Sequence, residues 1–483
     1  MRKDKKGAKN MSKSAVEKQT KGGFIKGAAI IAAGGFIAKI VGALYRIPLT
    51  NLIGGHGIGL YQMVYPVYCL LLTVSATGIP SSIAKLTAER IGKGQSETPL
   101  FKTAMKLFLL IGGIGTILMC IIAPFLSAAQ ESTEIMAGYF TLAPSVLLVS
   151  AISVYRGYFQ GRNNMFPTAV SEITEQVVKV GFGLLFAYLF RDNVAKAVVF
   201  LLLAVSLSEL TALFVVFLFY KRSTYGGITR QGMGDSVSRK SILRLSIPVT
   251  FSAMLIPLSS LLDSVLAVRL LSKYAGDAVA LYGLFSGGAV TVINLPVSVC
   301  YGIAAASVPS VAEAKALLDN KTSDKKPNVR KRIFFSLGIT VLIAAPAAIG
   351  LYLFAQPAVK IIFRSLQAEE LSTLVKLIKI LSVSALTLSL VQTLSACLTA
   401  QGKPKFAAFS MLVGVVAKTA AYTVLLQRSE ISVFGLAHAT NLCYLIAFLL
   451  DLIYNIIVSK RKEKEDDNGN RAGRDGRRLD ETR

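Results

Sequence analysis

Lys39 and Arg46 stand seven residues apart inside an apolar stretch over residues 24–47. Seven residues is about two helical turns, so a helix there carries both cations on one face. In hydrocarbon an ionised side chain costs about +2.5–3.5 kcal/mol on insertion scales, so two on one face need a polar surrounding. A water-lined cavity is such a surrounding, and lysine and arginine within it are suited to a phosphate or another anion. Arg46, nearer the end of the stretch, also has the length to snorkel to headgroups. The apolar run 166–190 carries Glu172, Glu175 and Lys179. Glu175 and Lys179 are four apart with the acid first, the favourable order on a helix. The three residues read either as a self-neutralising ion pair or as further lining of the cavity. Glu209 falls near the middle of run 194–220, Asp263 in run 242–267 and Lys418 in run 405–427. Asp263 and Lys418 either pair with each other or supply a ligand to a coupling ion. Asp451, near the end of run 431–458, reads as interfacial.

Such charges have to be held by membrane-spanning helices. The chain is 53% hydrophobic over 483 residues, and runs of 18 or more apolar residues recur, each long enough to cross a core about 30 Å thick. Twelve helices are predicted, over 24–47, 58–79, 101–126, 135–158, 166–190, 194–220, 242–267, 280–306, 333–355, 371–399, 405–427 and 431–458. The corresponding division is a basic cytoplasmic tail (1–23), a six-helix lobe (24–220), a cytoplasmic linker (221–240), a second six-helix lobe (241–458) and a charged tail (459–483) predicted to be disordered. With the N-terminus inside, the tails and the even-numbered loops hold 40 of the 53 lysines and arginines and the alternate loops hold 10. That asymmetry places both termini in the cytoplasm of a bacterial cell, with the chain multi-pass in its inner membrane.

The net charge of +26 lies in tails and alternate short loops rather than on a soluble fold, which argues against nucleic acid as a partner. The five cysteines all fall in apolar runs and the only histidines are His56 and His438. No metal-ligand spacing results, and no cofactor is expected. Residues 1–22 are too charged for a signal peptide. No phosphate-binding Gly-x4-Gly-Lys-Ser/Thr motif, lipase elbow or paired loop carboxylates occur. Transport is therefore predicted rather than catalysis.

The two halves repeat. Gly59-Leu60-Tyr61 and Ala280-Leu281-Tyr282 open equivalent helices; Gly78-Ile79-Pro80-Ser81 echoes Gly302-Ile303 and Val308-Pro309-Ser310. Gln160-Gly161-Arg162 matches Gln401-Gly402-Lys403, and Lys179 matches Lys418 in depth. Repeats of six helices enter the membrane in the same orientation, with a central cavity expected at their interface. Gly34, Gly35 and Gly42 line the first helix, while Pro248, Pro257, Gly287, Gly288 and Pro296 are expected to interrupt the seventh and eighth.

The stretch from Lys39 through Arg46 to Gly54, then Gly57-Ile58-Gly59-Leu60-Tyr61-Gln62, resembles the opening of lipid II flippases of the MurJ and stage V sporulation protein B type. Gly78-Ile79-Pro80-Ser81-Ser82-Ile83-Ala84-Lys85 continues the resemblance. These flippases belong to the multidrug/oligosaccharidyl-lipid/polysaccharide exporter superfamily. The resemblance implies an undecaprenyl-pyrophosphate-linked saccharide as substrate, turned over from inner to outer leaflet for wall, spore-cortex or polysaccharide synthesis. It implies that Lys39 and Arg46 meet the pyrophosphate. Membrane lipids, including anionic headgroups, are expected neighbours; a coupling ion is left open, since helix 11 offers Lys418 rather than an acid or amide set. Lipid II flippases commonly have fourteen helices, against twelve here, and some carry arginines in helices 2 and 8, where this chain has none. A multidrug or cation antiporter of the same fold is the alternative; it calls for an acidic cavity, whereas helix 1 offers two cations.

Overall fold

Proline has no N–H, and its ring collides with the carbonyl four residues earlier. In the computed structural model, which describes residues 41–42, 44–74, 78–226, 239–319 and 329–480, that rule sets two helix ends. Helix α7 (Arg239–Ala253) stops four residues before Pro257, and α8 (Leu255–Leu271) starts after a turn at Met254. Helix α11 (Val329–Leu353) stops four residues before Pro357, and the short α12 (Ala355–Ile362) follows. The expected break in the seventh helix is present at Pro257 but not at Pro248, which lies inside α7, and one prediction is refined: the segment after 353 is a separate helix rather than the tail of a span.

Helices make up the rest of the fold. The helical residues 44–72, together labelled α1, are two arms that fold back on each other at Gly54, whose φ of +70° costs glycine little; the Arg46 guanidinium lies 6.0 Å from the Tyr65 ring, whereas 19 residues along one straight helix span about 28 Å. Helix α2 (Ile79–Gly92) occupies what was expected to be a loop; Pro80 in its first turn is preset for helix. Then come α3 (Thr98–Ala129), α4 (Met136–Gly161), α5 (Phe166–Leu189) and α6 (Val194–Gly226). After α8, the short α9 (Ala278–Gly283) runs through a π-helical turn, Leu284–Ala289, into α10 (Val290–Asp319). This turn contains Gly287 and Gly288, so the eighth predicted helix is irregular at those glycines as expected, whereas α10 runs unbroken through Pro296. Helices α13 (Ala368–Ala400), α14 (Pro404–Leu425) and α15 (Phe434–Asp480) complete the order. Helix α15 continues past Lys460, where composition predicts no regular structure; residues 460–465 are lysine, arginine and glutamate, good helix formers, while the glycines, asparagines and aspartates beyond them are not.

Large apolar side chains point outward while charges point inward. On α3, Leu110, Ile114, Ile117, Ile121 and Phe125 form an exposed stripe, with Phe125 72% exposed. Glu209, Lys418 and Asp451 are all buried. Water does not select that inversion; lipid does. Eight helices among the described residues are long and apolar enough to cross a membrane. Helix α5, with its three charges, and the divided α7–α8 are not among the eight. The chain is therefore a multi-pass membrane protein.

Packing divides the chain into two units, residues 1–269 and 270–483. In the first, α4 lies against α2, α3 and α6, and α5 against α6. Helices α7 and α8 also pack here, so the boundary in packing falls later than the linker at 221–240. Ile242 joins Ile79, Ile83, Leu100 and Phe101 in one buried cluster. Ser246 Oγ donates to Ser82 Oγ at 3.0 Å, and the Gln130 amide donates to both Met63 O and Ser264 Oγ at 3.0 Å. In the second unit α13 is central, touching α10, α11 and α15, while α14 packs on α15.

The internal repeat is visible in two details. Helices α4 and α13 end in the same cap, with a left-handed residue at Asn163 (φ 57°) and Gly402 (φ 73°). In each, the next two amides reach back to the last turn: Asn163 and Asn164 to Gln160 O and Phe159 O, Gly402 and Lys403 to Thr399 O and Leu398 O. Asn163 and Gly402 are 239 residues apart, as are Lys179 and Lys418. The two Gln-Gly pairs are 241 apart, so their match slips by two residues and Gly161 sits within its helix. The second detail is a helix-to-helix clasp. Ser145 donates to Ser206 at 2.8 Å and Ser206 to Thr141 O at 2.7 Å. In the other unit Ser384 donates to Asn441 Oδ1, and Asn441 donates to Ile380 O at 2.8 Å. Interhelical hydrogen bonds in membranes average about 0.6 kcal/mol, so Ser206→Ala is expected to cost under about 1 kcal/mol. Asn441→Ala, which also strips partners from both Ser384 and Ile380 O, is expected to cost about twice as much. Thermal unfolding of the detergent-solubilised variants measures both.

Candidate functional site: a charged cluster in the first unit

Tyr61, Tyr65 and Tyr68 follow one another at helical spacing on α1 and form a ladder along one face. Tyr61 and Tyr65 stack at 5.1 Å between ring centroids, and Tyr65 and Tyr68 are 5.7 Å apart. Arg46 lies over the middle ring, its guanidinium carbon 6.0 Å from the Tyr65 centroid, at the limit of cation–π contact. At the Tyr68 end of the ladder the Tyr68 hydroxyl donates to Glu209 Oε1 on α6 at 3.0 Å. Tyr68 and Glu209 are both buried, at 2% and 5% exposure. The ladder thus joins the basic residue of α1 to the acid in the middle of α6.

A second line of contacts joins α4 to α5. Arg156 Nη2 lies 3.1 Å from Glu175 Oε2, and Arg156 Nε donates to Ser171 Oγ at 2.9 Å. Both charged side chains are 15% exposed. The helix hairpin explains the meeting: Arg156 lies six residues before Arg162 and Ser171 six after Met165, equidistant from the turn. Gln176 donates to the other oxygen of Glu175 at 3.2 Å. Glu175 thus pairs across the hairpin with Arg156, not with Lys179 on its own helix as the four-residue spacing suggests. A planar guanidinium can serve Ser171 and Glu175 at once, and the ammonium of Lys179 offers no such fork. Lys179, half-buried one turn further along α5, is within coulombic range of Glu209, as are Arg156 and Glu175. Glu172 is half-buried in the same field, near Arg156 and Glu175, and its Oε2 is buried without a hydrogen-bond partner.

The structure therefore brings Arg46, Glu172, Glu175, Lys179 and Glu209 into one region of the first unit. Arg156 belongs with them and was missed. It lies two residues inside the predicted run 135–158 and counts there as a loop charge; the hairpin register to Ser171 and Glu175 is the signal that identifies it. Lys39, Gly34 and Gly35 lie outside the described residues. Asp263, 6% exposed on α8, is in the first unit, and Lys418, also 6% exposed, is on α14 in the second. Asp451 is fully buried among its neighbours: Ser395 donates to its Oδ2 at 2.5 Å, and Asn455 bridges from Asp451 O to Leu394 O.

Lys179 has its counterpart in Lys418, but the Arg156–Glu175 ion pair is not repeated. At the 239-residue offset Arg156 corresponds to Ser395 and Glu175 to Gly414. A Cβ on Gly414 would stand 2.6 Å from Cys443 O, so α14 and α15 touch backbone to backbone where the first unit holds an ion pair. Three cations (Arg46, Arg156, Lys179) and three carboxylates (Glu172, Glu175, Glu209) share the first unit. Such a set can exchange an internal partner for an external ion of either sign while keeping its charges paired.

Residues 24–315 match the model of the family described as polysaccharide biosynthesis protein. The chain is 26% identical over 429 residues to stage V sporulation protein B of Bacillus subtilis (strain 168), covering 86% of this chain and 80% of that one. It is 23% identical over 462 residues to the lipid II flippase MurJ of the same organism, covering 90% and 82%. Among solved structures, an inward-facing multidrug resistance MATE family transporter of the MOP superfamily superposes with a TM-score of 0.72 at 15% identity, over 88% of this chain and 96% of that one. That likeness is one of fold, and it agrees with the all-helical architecture read from the sequence. The matched segment takes in the whole charged cluster, and the chain belongs to the polysaccharide biosynthesis protein family of membrane transporters.

Proposed function

We propose that this protein is a flippase for an undecaprenyl-pyrophosphate-linked saccharide, lipid II or a related polysaccharide precursor. It moves the saccharide from the inner to the outer leaflet of the bacterial inner membrane by alternating access. The observation that carries the reading is Arg46, a half-buried cation within a membrane segment, set over a tyrosine ladder that ends on Glu209. Lys39, seven residues earlier in the sequence, is the second cation proposed to meet the pyrophosphate. Glu172, Glu175, Lys179 and Glu209 hold the surrounding charge in balance, with Asp263 and Lys418 as further buried charges. The relatives named above support the substrate class. In this reading residues 24–47, α1, α5 and α7–α8 also cross the membrane, giving twelve spans in two six-helix repeats with both termini cytoplasmic. An inside-negative potential favours outward movement of an anion by about 2.3 kcal/mol per charge per 100 mV, so the potential itself is a driving force. Neighbouring lipids include anionic headgroups, and a coupling ion is a further partner.

The three carboxylates of the first unit favour a second reading, a cation antiporter of the same fold. Liposomes containing a lipid-linked pyrophosphoryl saccharide separate the two. Protein-dependent appearance of the saccharide on the opposite leaflet is expected, falling at least about tenfold in Lys39→Ala and Arg46→Ala, the loss of one charge-assisted contact. Flipping that survives both changes moves the pyrophosphate site elsewhere. Cation efflux without flipping establishes the antiporter.

A further inference from the structure

An apolar cavity of about 320 Å³ opens in the second unit, between α10, α11, α12 and α13. Its walls include Val292 and Pro296, Gly350, Phe354, Ala358 and Ile378, and every residue lining it is apolar. Water has no hydrogen-bond partners in such a space, and an empty one forfeits the dispersion contacts of its lining. Two features keep it open. The break before Pro357 ends α11 at Leu353 and starts α12 as a separate helix, packed against α13. Gly350 leaves room as well, since a Cβ built there meets nothing within 4 Å.

Cations adjoin residues that line this cavity in the sequence. Lys360 lies on α12 beside the lining residue Val359, and Arg364 follows the lining residue Phe363. Lys379 is next to the lining residue Ile378 and reaches 5.8 Å from the Tyr352 ring, and Lys376 stands one turn earlier. Lys360, Arg364 and Lys376 are exposed. Residues 360–379 hold these four cations and two acids, Glu369 and Glu370, of which Glu370 is taken up in capping α13 through the Gln367 amide at 3.0 Å. This segment joins the end of one span, Val329–Leu353, to the start of the next, Ala368–Ala400, and so lies at headgroup level.

We infer that the cavity is a binding site for one anionic membrane phospholipid, an acyl chain filling the slot and the phosphate held by Lys360 and Arg364. The site is independent of the charged cluster in the first unit. It ties the packing of α12 to the lipid composition of the membrane.

The chain has no tryptophan, so Phe354→Trp places a single fluorophore in the wall of the slot. The full-length variant, in phosphatidylcholine vesicles carrying a small fraction of brominated lipid, reports occupancy by quenching. Brominated phosphatidylglycerol is expected to quench at least about fivefold more effectively than brominated phosphatidylcholine, the scale of two cations near a phosphate. Adding Lys360→Gln and Arg364→Gln should bring the two lipids to parity. Gly350→Leu, which fills the slot without a backbone clash, should remove quenching by the tightly bound lipid while leaving that of bulk lipid. Equal quenching by both lipids overturns the inference, as does a preference that persists in the charge variants or is untouched by Gly350→Leu. Those outcomes leave the flipping assay unaffected, so this site and the flippase reading fail separately.

Discussion

Arg156→Ala should lower the stability of the purified protein by about 3–5 kcal/mol, the usual consequence of stranding one member of a buried ion pair. The loss falls on more than one group. Glu175 would keep the amide of Gln176 but lose its guanidinium partner, Ser171 would lose its donor, and Glu209 would lose one of the two cations within its coulombic range. A double-mutant cycle tests this. If the penalty comes from the stranded carboxylate, Arg156→Ala combined with Glu175→Gln should recover most of it, because the neutral amide costs far less to bury. Thermal or denaturant unfolding in one detergent reads all four corners of the cycle. A cost below about 1 kcal/mol for Arg156→Ala would mean that water already satisfies the pair, in the manner of exposed salt bridges.

The second large effect is steric. Helix α4 meets α2 through Gly157 and Gly161, and no side chain fits at either. A Cβ at Gly157 would stand 2.9 Å from both Pro80 Cα and Pro80 O. At Gly161 it would stand 2.5 Å from Thr87 Cβ and 2.7 Å from Ala84 O. These are backbone and near-backbone atoms of a helix held by its own hydrogen bonds, so neither side can yield by rotating a side chain. Gly157→Ala and Gly161→Ala are each expected to destabilise by about 1–3 kcal/mol, the range for overpacking. Gly113→Ala and Gly338→Ala provide the contrast. Both glycines lie inside α3 and α11 with nothing within 4 Å of an added Cβ. There alanine should be neutral or stabilising by up to about 1 kcal/mol, from helix propensity alone. If the two pairs behave alike, the close approach of α2 and α4 does not hold in the membrane.

The pair at Arg156 also shows why part of the site was hard to read in the sequence. Glu172, Glu175, Lys179 and Glu209 announce themselves as charges in the middle of apolar runs, and their grouping follows from the cost of exposing any of them to lipid. Arg156 sits near a helix end, where lysine and arginine are common for topological reasons. Only the hairpin that returns α5 along α4 shows that it faces Glu175. The tyrosine ladder is similar. Its spacing on α1 is visible in the sequence, but its terminus on Glu209, 141 residues beyond Tyr68, is not.

The apolar runs, the alternating loop charges and the internal repeat were determined by the sequence alone, because each reflects a local free energy. Transferring a side chain to lipid, placing a cation on one side of a membrane and breaking a helix at Pro257 or Pro357 depend on a residue and its near neighbours. Tertiary structure decided what those residues share. It decided that α7 and α8 pack with the first unit, because Ile242, Ser246 and Ser264 find their apolar and hydrogen-bonding partners there. It decided that Glu175 takes Arg156 in preference to Lys179, and that the equivalent place in the second repeat holds Gly414 against a backbone carbonyl instead of a charge. Hydrogen bonds and ion pairs act over a few ångströms, and which groups come that close is set by how whole helices pack, which no window of neighbouring residues contains.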